Sequence, residues 1–224
     1  MKAVILTGGK GKRLEQLTHD IPKVLVKVGE KTLIEHNIDK LRQVGINEIA
    51  VVVGYKAQMV RDLLGNSVVY YEQKEQLGTA HAFGCVEPFI KDQYFLAMNG
   101  DIYFEESLDD FLQTTPPAIA LYKVHDSSRY GRIEVKDGNV TVIKEKSPEK
   151  IAGFINAGIY TFPKIIFDAI RKTPLSPRNE YEITDTIMML ANQGVDFHAY
   201  TLTRYWTDIA TLSDLETANK FAKR

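Results

Sequence analysis

The sequence is poor in the residues that build disulfide frameworks and zinc sites. It contains one cysteine, Cys85, among 224 residues, so no disulfide can form within the chain. The five histidines are scattered and have no zinc-binding spacing with that cysteine. A single thiol is typical of a reducing compartment, and we expect the protein to be cytoplasmic.

The chain also lacks a strong net charge and a long apolar run. Its 28 Lys and Arg residues balance 29 Asp and Glu residues, which leaves no overall field to attract nucleic acid or an anionic membrane. Apolar runs such as Ala3–Leu6 and Ile49–Val53 are far too short to span a bilayer. We therefore expect neither nucleic acid nor a membrane as a partner, and an anionic ligand would need a local basic cluster.

The N-terminal half alternates strand and helix patterns. Apolar residues make up 44% of the chain and charged residues 25%, which is ordinary for a globular protein. Apolar runs predict strands at 2–7, 49–54, 68–71 and 94–98, and helical periodicity predicts helices at 34–41, 57–64, 79–86 and 107–113. This alternation indicates an α/β sheet covered by helices.

The C-terminal half is richer in strands around turns. Asp137-Gly138 stands between two strand patterns and predicts a hairpin. A further strand is predicted at 154–162, and helices are predicted at 165–170, 183–191 and 212–221. We therefore predict an α/β fold with a Rossmann-like, mostly parallel mixed sheet, flanking helices and an inserted β region. We expect one domain, 1–224, with halves at about 1–115 and 116–224.

A glycine cluster follows the first predicted strand. Gly8, Gly9 and Gly11 would let the backbone approach a phosphate, and ligands of open α/β sheets bind at this edge. The Walker pattern fails because Arg13 stands where it requires Ser or Thr, and the dinucleotide fingerprint fails because Leu14 replaces its third glycine. By composition alone, the loop fits a triphosphate as well as it fits a glycine turn with solvated basic side chains.

Further short segments recur in a fixed order along nearly the whole chain. After the glycine loop come Pro22-Lys23, Gln76-Leu77-Gly78-Thr79-Ala80, Asn99-Gly100-Asp101, Tyr130-Gly131-Arg132, Glu145-Lys146, Asn156-Ala157-Gly158 and Trp206-Thr207-Asp208-Ile209. Together they resemble the sugar-1-phosphate nucleotidylyltransferases. The resemblance implies that family's fold, a nucleoside triphosphate and a sugar-1-phosphate as substrates, and Mg²⁺ as cofactor. Homo-oligomerisation is an expectation on the same basis.

The resemblance assigns the phosphate and metal chemistry to four charged residues. Arg13, Lys23 and Asp101 are the implied catalytic residues, with the two cations neutralising the triphosphate. Asp101 and Asp208 are the implied ligands of Mg²⁺, which prefers hard oxygen donors. Without the resemblance, Asp101 beside a glycine would more often be a turn or cap residue.

The resemblance also implies a nucleotide site and a sugar site. The nucleotide site comprises Gly8, Gly9, Gly11, Gln73, Gly78 and Thr79. An amide and a backbone group can pair with a uracil or thymine edge, and Gln76 competes with Gln73 for that role. The stretch 73–82 looks most like family members that use UTP or dTTP, and we interpret His81 as a packing or capping residue.

The implied sugar-phosphate site comprises Gly131, Glu145, Lys146 and Asn156. The alternative for these residues is an exposed strand edge with alternating charges. For the whole chain, three other functions stay open at this point: a cytidylyltransferase acting on an alcohol or polyol phosphate, a nucleotide-sugar sensor without catalysis, and a dinucleotide-dependent oxidoreductase.

Overall fold

The computed structural model describes residues 1–9, 20–144 and 150–223. The strands of these residues, in chain order, are β1 (Ala3–Leu6), β2 (Lys27–Val28), β3 (Lys31–Thr32), β4 (Ile49–Val53), β5 (Val69–Glu72), β6 (Tyr94–Asn99), β7 (Ile102–Phe104), β8 (Ala118–Val124), β9 (Arg132–Lys136), β10 (Asn139–Lys144), β11 (Gly153–Pro163), β12 (His198–Thr201) and β13 (Trp206–Asp208). The helices are α1 (Leu33–Gln43), α2 (Ala57–Leu64), α3 (Thr79–Gly84), α4 (Asp109–Gln113), α5 (Ile166–Ile170), α6 (Ile183–Asn192) and α7 (Leu212–Ala222). Single 3₁₀ turns occupy Lys23–Leu25 and Glu87–Phe89.

A nine-stranded sheet forms the centre of the described structure, in the order β5-β4-β1-β6-β11-β8-β12-β10-β9. The strands β5, β4, β1 and β6 pair with one another in parallel. From β6 onward most pairings are antiparallel, although β8 and β12 run parallel. The prediction of a mixed α/β sheet flanked by helices is confirmed, and parallel pairing predominates only in the N-terminal half because β11 pairs antiparallel with β6, β8 and β9, and β10 pairs antiparallel with β9 and β12.

Helices cover both faces of this sheet. On one face, Ile5 of β1 packs in a buried cluster with Ile38 of α1. On the other face, Val4 of β1 packs with Phe83 of α3 and Ile187 of α6. Successive strand residues point to opposite faces, so a strand buried on both sides is apolar throughout. The uninterrupted apolar run of β1 therefore matches its place inside the sheet.

The long strand β11 joins the two halves of the sheet. Its C-terminal part pairs with β6, and its N-terminal part pairs with β9. The register against β8 shifts between Asn156 and Tyr160, which bends the strand there. The bend brings Gly158 against Asn99 at the end of β6. A Cβ on this glycine would lie 2.6 Å from the side-chain amide nitrogen of Asn99.

A separate two-stranded ribbon of β7 and β13 lies beside the main sheet. The helix after it, α7, begins with a capping box in which Thr211 and Asp214 satisfy each other's backbone N–H groups. Tyr205 and Phe221 stack with ring centroids 3.8 Å apart, so α7 packs back on the segment that precedes β13. Within the part of the chain that the structure describes, no helix is long and apolar enough to cross a membrane.

Candidate active site

A cavity of about 600 Å³ opens at the carboxyl ends of β1, β5 and β6. The predicted site residues that line it are Gly8, Gly9, Lys23, Gln73, Gly78, Thr79 and Asp101. Its other lining residues are Leu6, Thr7, Val24, Gln76, Ala82, Asn99 and Glu180. Parallel strands end at the same sheet edge, so residues far apart in the sequence meet here. The predicted site residues Gly11, Arg13, Glu145 and Lys146 lie outside the described residues.

Gly8 of the glycine loop lies close against Gln73 and Gly54. A Cβ on Gly8 would lie 2.9 Å from Oε1 of Gln73, and one on Gly54 would lie 3.1 Å from the backbone of Gly8. The amide nitrogen of Gln76 donates to the carbonyl oxygen of Gly8 at 2.7 Å. The amide nitrogen of Gln76 thus tethers the loop at Gly8, and the Gln73 side chain lies beside the same glycine.

Lys23 and Asp101 form an ion pair in the cavity wall. The Lys23 ammonium lies 2.6 Å from Oδ2 of Asp101, and the two side chains are 13% and 35% exposed. Lys23 begins a 3₁₀ turn in which the N–H of Leu25 donates to the carbonyl of Pro22. Proline fixes its own backbone angle, which helps to hold the direction of the chain before Lys23. A fixed cation therefore faces a carboxylate at the edge of the cavity.

Asp208 is brought beside Asp101 by the β7–β13 ribbon. Asp208 pairs with Ile102 in the ribbon, and the N–H of Ile209 donates to the carbonyl of Asp101 at 3.0 Å. Burial raises the pKa of Asp208 above its ordinary value, and the negative charge of Asp101 raises it further. The positive charge of Lys23 lowers this pKa but does not cancel the increase. The two carboxylates are thus near enough to repel each other.

A hydrogen-bond network holds Asp208 from its other side. The Tyr130 hydroxyl donates to Oδ1 of Asp208 at 2.9 Å. Burial, together with the charge of Asp208, raises the pKa of Tyr130, so the hydroxyl keeps its proton. Arg129 forms two hydrogen bonds with the Asp214 carboxylate, at 3.2 and 2.9 Å, and its guanidinium lies 4.0 Å from Asp208. The start of α7 is in this way connected to the carboxylate pair.

The donor set at this point suits a hard divalent cation. Asp101 and Asp208 supply only carboxylate oxygens, the ligands that Mg²⁺ prefers when phosphates and waters complete its coordination. In residues 1–9, 20–144 and 150–223, no group of three or more His, Cys, Asp and Glu side chains could hold a metal by itself. The residues present fit an ion that is shared with a phosphate-bearing substrate.

The turn before α3 is built around Gly78. Gly78 has a φ of 108°, which side-chain-bearing residues rarely adopt. A Cβ at this position would lie only 2.5 Å from the carbonyl oxygen of Tyr181, so the turn requires glycine. The N–H of Tyr181 donates to Leu77, and the N–H of Ile183 donates to the Thr79 hydroxyl at 2.9 Å. Thr79 therefore also holds the start of α6. The same packing brings Glu180 to the cavity, although no pattern in the sequence singles that residue out.

The predicted sugar-site residues that the structure describes lie outside the cavity lining. The Asn156 amide donates to the Tyr160 hydroxyl and accepts from the N–H of Gly158. Both ends of this amide are thus used to hold the bend of β11. Gly131 lies near β10, where a Cβ would be 3.3 Å from the carbonyl of Lys144. Asn156 is linked to the cavity through Gly158, which packs on the lining residue Asn99.

The match to known proteins covers almost the whole chain. A family model described as nucleotidyl transferase matches residues 2–224. The chain is 35% identical, over 98% of its length, to the low-salt glycan biosynthesis nucleotidyltransferase Agl11 of Haloferax volcanii, of which it covers 65%. It is also 35% identical, over 98% of its length, to the UTP–glucose-1-phosphate uridylyltransferase AglF of the same organism, of which it covers 96%.

A solved structure has the same fold. A crystal structure from Bacillus anthracis, of a protein assigned as a glucose-1-phosphate thymidylyltransferase and bound to sucrose, matches with a TM-score of 0.90 at 29% identity. That match covers 100% of this chain and 95% of the other. The chain spans 65% of the length of Agl11 and 54% of the length of several archaeal relatives. The chain belongs to the nucleotidyl transferase family, which confirms the resemblance to sugar-1-phosphate nucleotidylyltransferases that its motifs indicate.

Proposed function

We propose that this protein transfers a nucleotidyl group from UTP or dTTP to a sugar-1-phosphate, with Mg²⁺ as cofactor. The products are a nucleoside diphosphate sugar and pyrophosphate. The observation that carries the proposal is the fixed cation of Lys23 and the carboxylates of Asp101 and Asp208, gathered beside a glycine-lined cavity. AglF and the Bacillus anthracis protein are both named for glucose-1-phosphate as substrate, which supports a sugar-1-phosphate as acceptor.

The reaction is an in-line displacement at the α-phosphorus. An oxygen of the sugar phosphate forms a bond to the α-phosphorus, and the bond from that phosphorus to the β-phosphate oxygen breaks. A phosphate monoester has its second pKa near 6, so the nucleophile is already largely ionised at neutral pH. No proton has to be moved, and the reaction needs no general base. The protein contributes positioning and charge neutralisation.

Lys23 neutralises charge on the phosphate chain in this proposal, and Arg13 assists it. The ammonium is held in the cavity wall by its ion pair with Asp101, so it loses little freedom when a nucleotide binds. Asp101 and Asp208 would hold Mg²⁺, which when bound supplies positive charge to the triphosphate oxygens. The hydrogen bond from Tyr130 would orient Asp208 toward that role.

The base and the sugar phosphate are assigned to opposite parts of the site. Gln73, Gly78 and Thr79 would contact the nucleotide, with Gln73 reading the base edge. The sugar phosphate would be bound by Gly131, Glu145, Lys146 and Asn156, as the family resemblance implies. This division agrees with the position of Gln73 and Gly78 in the cavity and of Asn156 beyond it.

The direct test is pyrophosphate release with Mg²⁺ across pairs of substrates. Each of UTP, dTTP, CTP, GTP and ATP is combined with glucose-1-phosphate, N-acetylglucosamine-1-phosphate, mannose-1-phosphate and several alcohol phosphates. We expect release only when UTP or dTTP and a sugar phosphate are both present. Release that requires CTP and an alcohol phosphate, or none in protein that still binds UTP, would contradict the proposal.

A further inference from the structure

The Gln73 amide is held in one orientation by two neighbours. The side chain is buried, with 5% of the residue exposed. Its Nε2 lies 3.0 Å from the carbonyl oxygen of Gly78 and 3.1 Å from Nδ1 of His81. A carbonyl oxygen can only accept a hydrogen bond, so the group facing Gly78 has to be the NH₂. The Gly78 contact therefore shows which end of the amide is the nitrogen, and the contact with His81 is a second constraint on the same end.

His81 then has to accept the second amide hydrogen. Nε2 of Gln73 carries two hydrogens, and one is used by Gly78. The other can bond to Nδ1 of His81 only if that nitrogen is unprotonated, which places the imidazole proton on Nε2 of the ring. With both hydrogens engaged, the amide can offer a ligand only its oxygen. That oxygen, Oε1, lies beside Gly8, where a Cβ, if the glycine carried one, would be 2.9 Å away.

We infer that His81 is a positioning residue that selects the base through Gln73. The inference rests on the proposed function and concerns which triphosphate that site prefers. An amide fixed with its oxygen outward accepts a hydrogen bond from the ring N–H of uracil or thymine. The corresponding ring nitrogen of cytosine is itself an acceptor and would face Oε1 without a proton between them. The pair of Gln73 and His81 therefore favours UTP and dTTP over CTP.

Without His81, the amide keeps only one of its two hydrogen bonds. Reversing the intact amide would set Oε1 against two acceptors, the Gly78 carbonyl and Nδ1 of His81. Replacing the imidazole with an apolar group removes the repulsion between Nδ1 and the reversed amide. It also removes the hydrogen bond that Nδ1 accepts from the amide in its present orientation. The amide then samples the reversed orientation more often, which presents the NH₂ to the base and relieves the clash with cytosine.

Two substitutions at one position separate this role from simple packing. His81→Leu fills the space but cannot accept a hydrogen bond, whereas His81→Asn places an acceptor oxygen near the position of Nδ1. The measurement is kcat/KM for UTP and for CTP with one sugar phosphate. We expect His81→Leu to lower the UTP-to-CTP ratio about five- to tenfold, mainly through a higher KM for UTP. His81→Asn should keep the ratio within about twofold of the wild type.

His36 is a matched control because it does not line the cavity. It is also half-buried, and its Nε2 bonds to the carbonyl of Val28, away from the cavity. His36→Leu should leave the UTP-to-CTP ratio unchanged. A ratio that stays the same in His81→Leu, or that falls as far in His81→Asn, would overturn the inference while leaving the proposed function intact. A wild-type enzyme that transfers only purine nucleotides would contradict the proposed function itself.

A measurement on the unmodified protein does not depend on any variant folding. Nitrogen-15 chemical shifts of the His81 ring distinguish its two neutral tautomers at neutral pH. We expect the proton on Nε2 and an unprotonated Nδ1. A proton on Nδ1 would overturn the inference, because that nitrogen could not then accept from Gln73.

Discussion

Glu106 clamps the segment that leads from β12 to β13, and its removal should destabilise the fold. Glu106 is buried, with 7% of the residue exposed. Its Oε2 accepts from the N–H groups of Thr203 and Arg204 at 2.7 and 2.8 Å. Its Oε1 accepts from the hydroxyls of Thr203 and Tyr200 at 3.2 and 3.3 Å. The clamp fixes the chain just before β13, which carries Asp208.

The magnitude follows from what each substitution leaves unpaired. Glu106→Ala removes the charged acceptor of two backbone N–H groups, whose residues Thr203 and Arg204 are themselves exposed. Hydrogen bonds to a charged group contribute about 1.5 to 3 kcal/mol each, and we take the lower value for exposed donors, so we expect a loss of about 3 kcal/mol in the free energy of unfolding. Glu106→Gln can still accept from both N–H groups but loses the charge. Hydrogen bonds to an ionised group are stronger than neutral ones, and we expect this variant to lose about 2 kcal/mol.

The loss in Glu106→Gln should depend on pH. Burial alone would raise the pKa of Glu106, but the backbone N–H groups of Arg204 and Thr203 and the nearby hydroxyls lower it below its ordinary value. A lowered folded-state pKa means that the carboxylate stabilises the fold above the unfolded pKa of about 4.3. That contribution is lost as the pH falls through the folded-state pKa. The difference between wild type and Glu106→Gln should thus be full at pH 7 and shrink below about pH 4.

The assay is urea denaturation at several pH values, followed by circular dichroism. Glu105→Gln is the matched control, since it removes the charge of the neighbouring, half-buried carboxylate without touching the clamp. Its free energy of unfolding should change by less than about 0.5 kcal/mol. A Glu106→Gln protein as stable as the wild type at pH 7, or a difference that does not shrink in acid, would refute this account of the clamp.

Three further predictions concern the cavity. Lys23→Ala should lower kcat by orders of magnitude with a modest change in KM, as measured by pyrophosphate release. A near-normal kcat would exclude a role of Lys23 in transfer. The control is Lys31→Ala, which removes an exposed lysine that is paired with Asp39. Asp208→Asn should lower kcat at least about a hundredfold and raise the Mg²⁺ concentration needed for half-maximal rate, and an unchanged Mg²⁺ requirement would contradict metal binding there. Gly78→Ala should destabilise the protein by about 2 kcal/mol or more in thermal unfolding, because its Cβ would meet a backbone carbonyl, and an unchanged melting temperature would contradict that packing.

Local sequence patterns predicted the regular elements well. The helix predicted at 57–64 is α2, with the same bounds, and the Asp137-Gly138 hairpin joins β9 to β10 with both turn residues at positive φ. These features depend on periodicity and turn chemistry, which a short window of sequence contains. The uninterrupted apolar residues of β1 likewise predicted a strand inside the sheet.

Contacts between distant segments could not be predicted in the same way. The strands β7 and β13 have three residues each, lie about 100 residues apart, and were not predicted as a pair. An apolar run also does not reveal the direction of its strand. Because β11 pairs antiparallel with β6, the sheet has fewer parallel pairings than the sequence predicts. The nearness of Asp101 and Asp208 was implied only by the family resemblance, since it depends on that ribbon.

The contact between His81 and Gln73 could not be predicted from the sequence. An isolated histidine in the first turns of a helix usually caps or packs, and the sequence offers no reason to pair it with a glutamine eight residues earlier. The pairing arises because the chain reverses at Gly78, whose φ of 108° only glycine adopts readily. The turn brings Gln73 back against the start of α3, where His81 can meet its amide. The contact of His81 with Gln73 therefore follows from backbone geometry and not from local pattern.

The most direct test of nucleotidyl transfer follows the oxygen atoms. Glucose-1-phosphate labelled with oxygen-18 at its three non-bridging phosphate oxygens is incubated with UTP, Mg²⁺ and the protein, and the products are analysed by mass spectrometry. If an oxygen of the sugar phosphate attacks the α-phosphorus, all three labels appear in the nucleoside diphosphate sugar and none in pyrophosphate. Label in pyrophosphate, or uridine monophosphate formed with no labelled nucleotide sugar, would contradict the account.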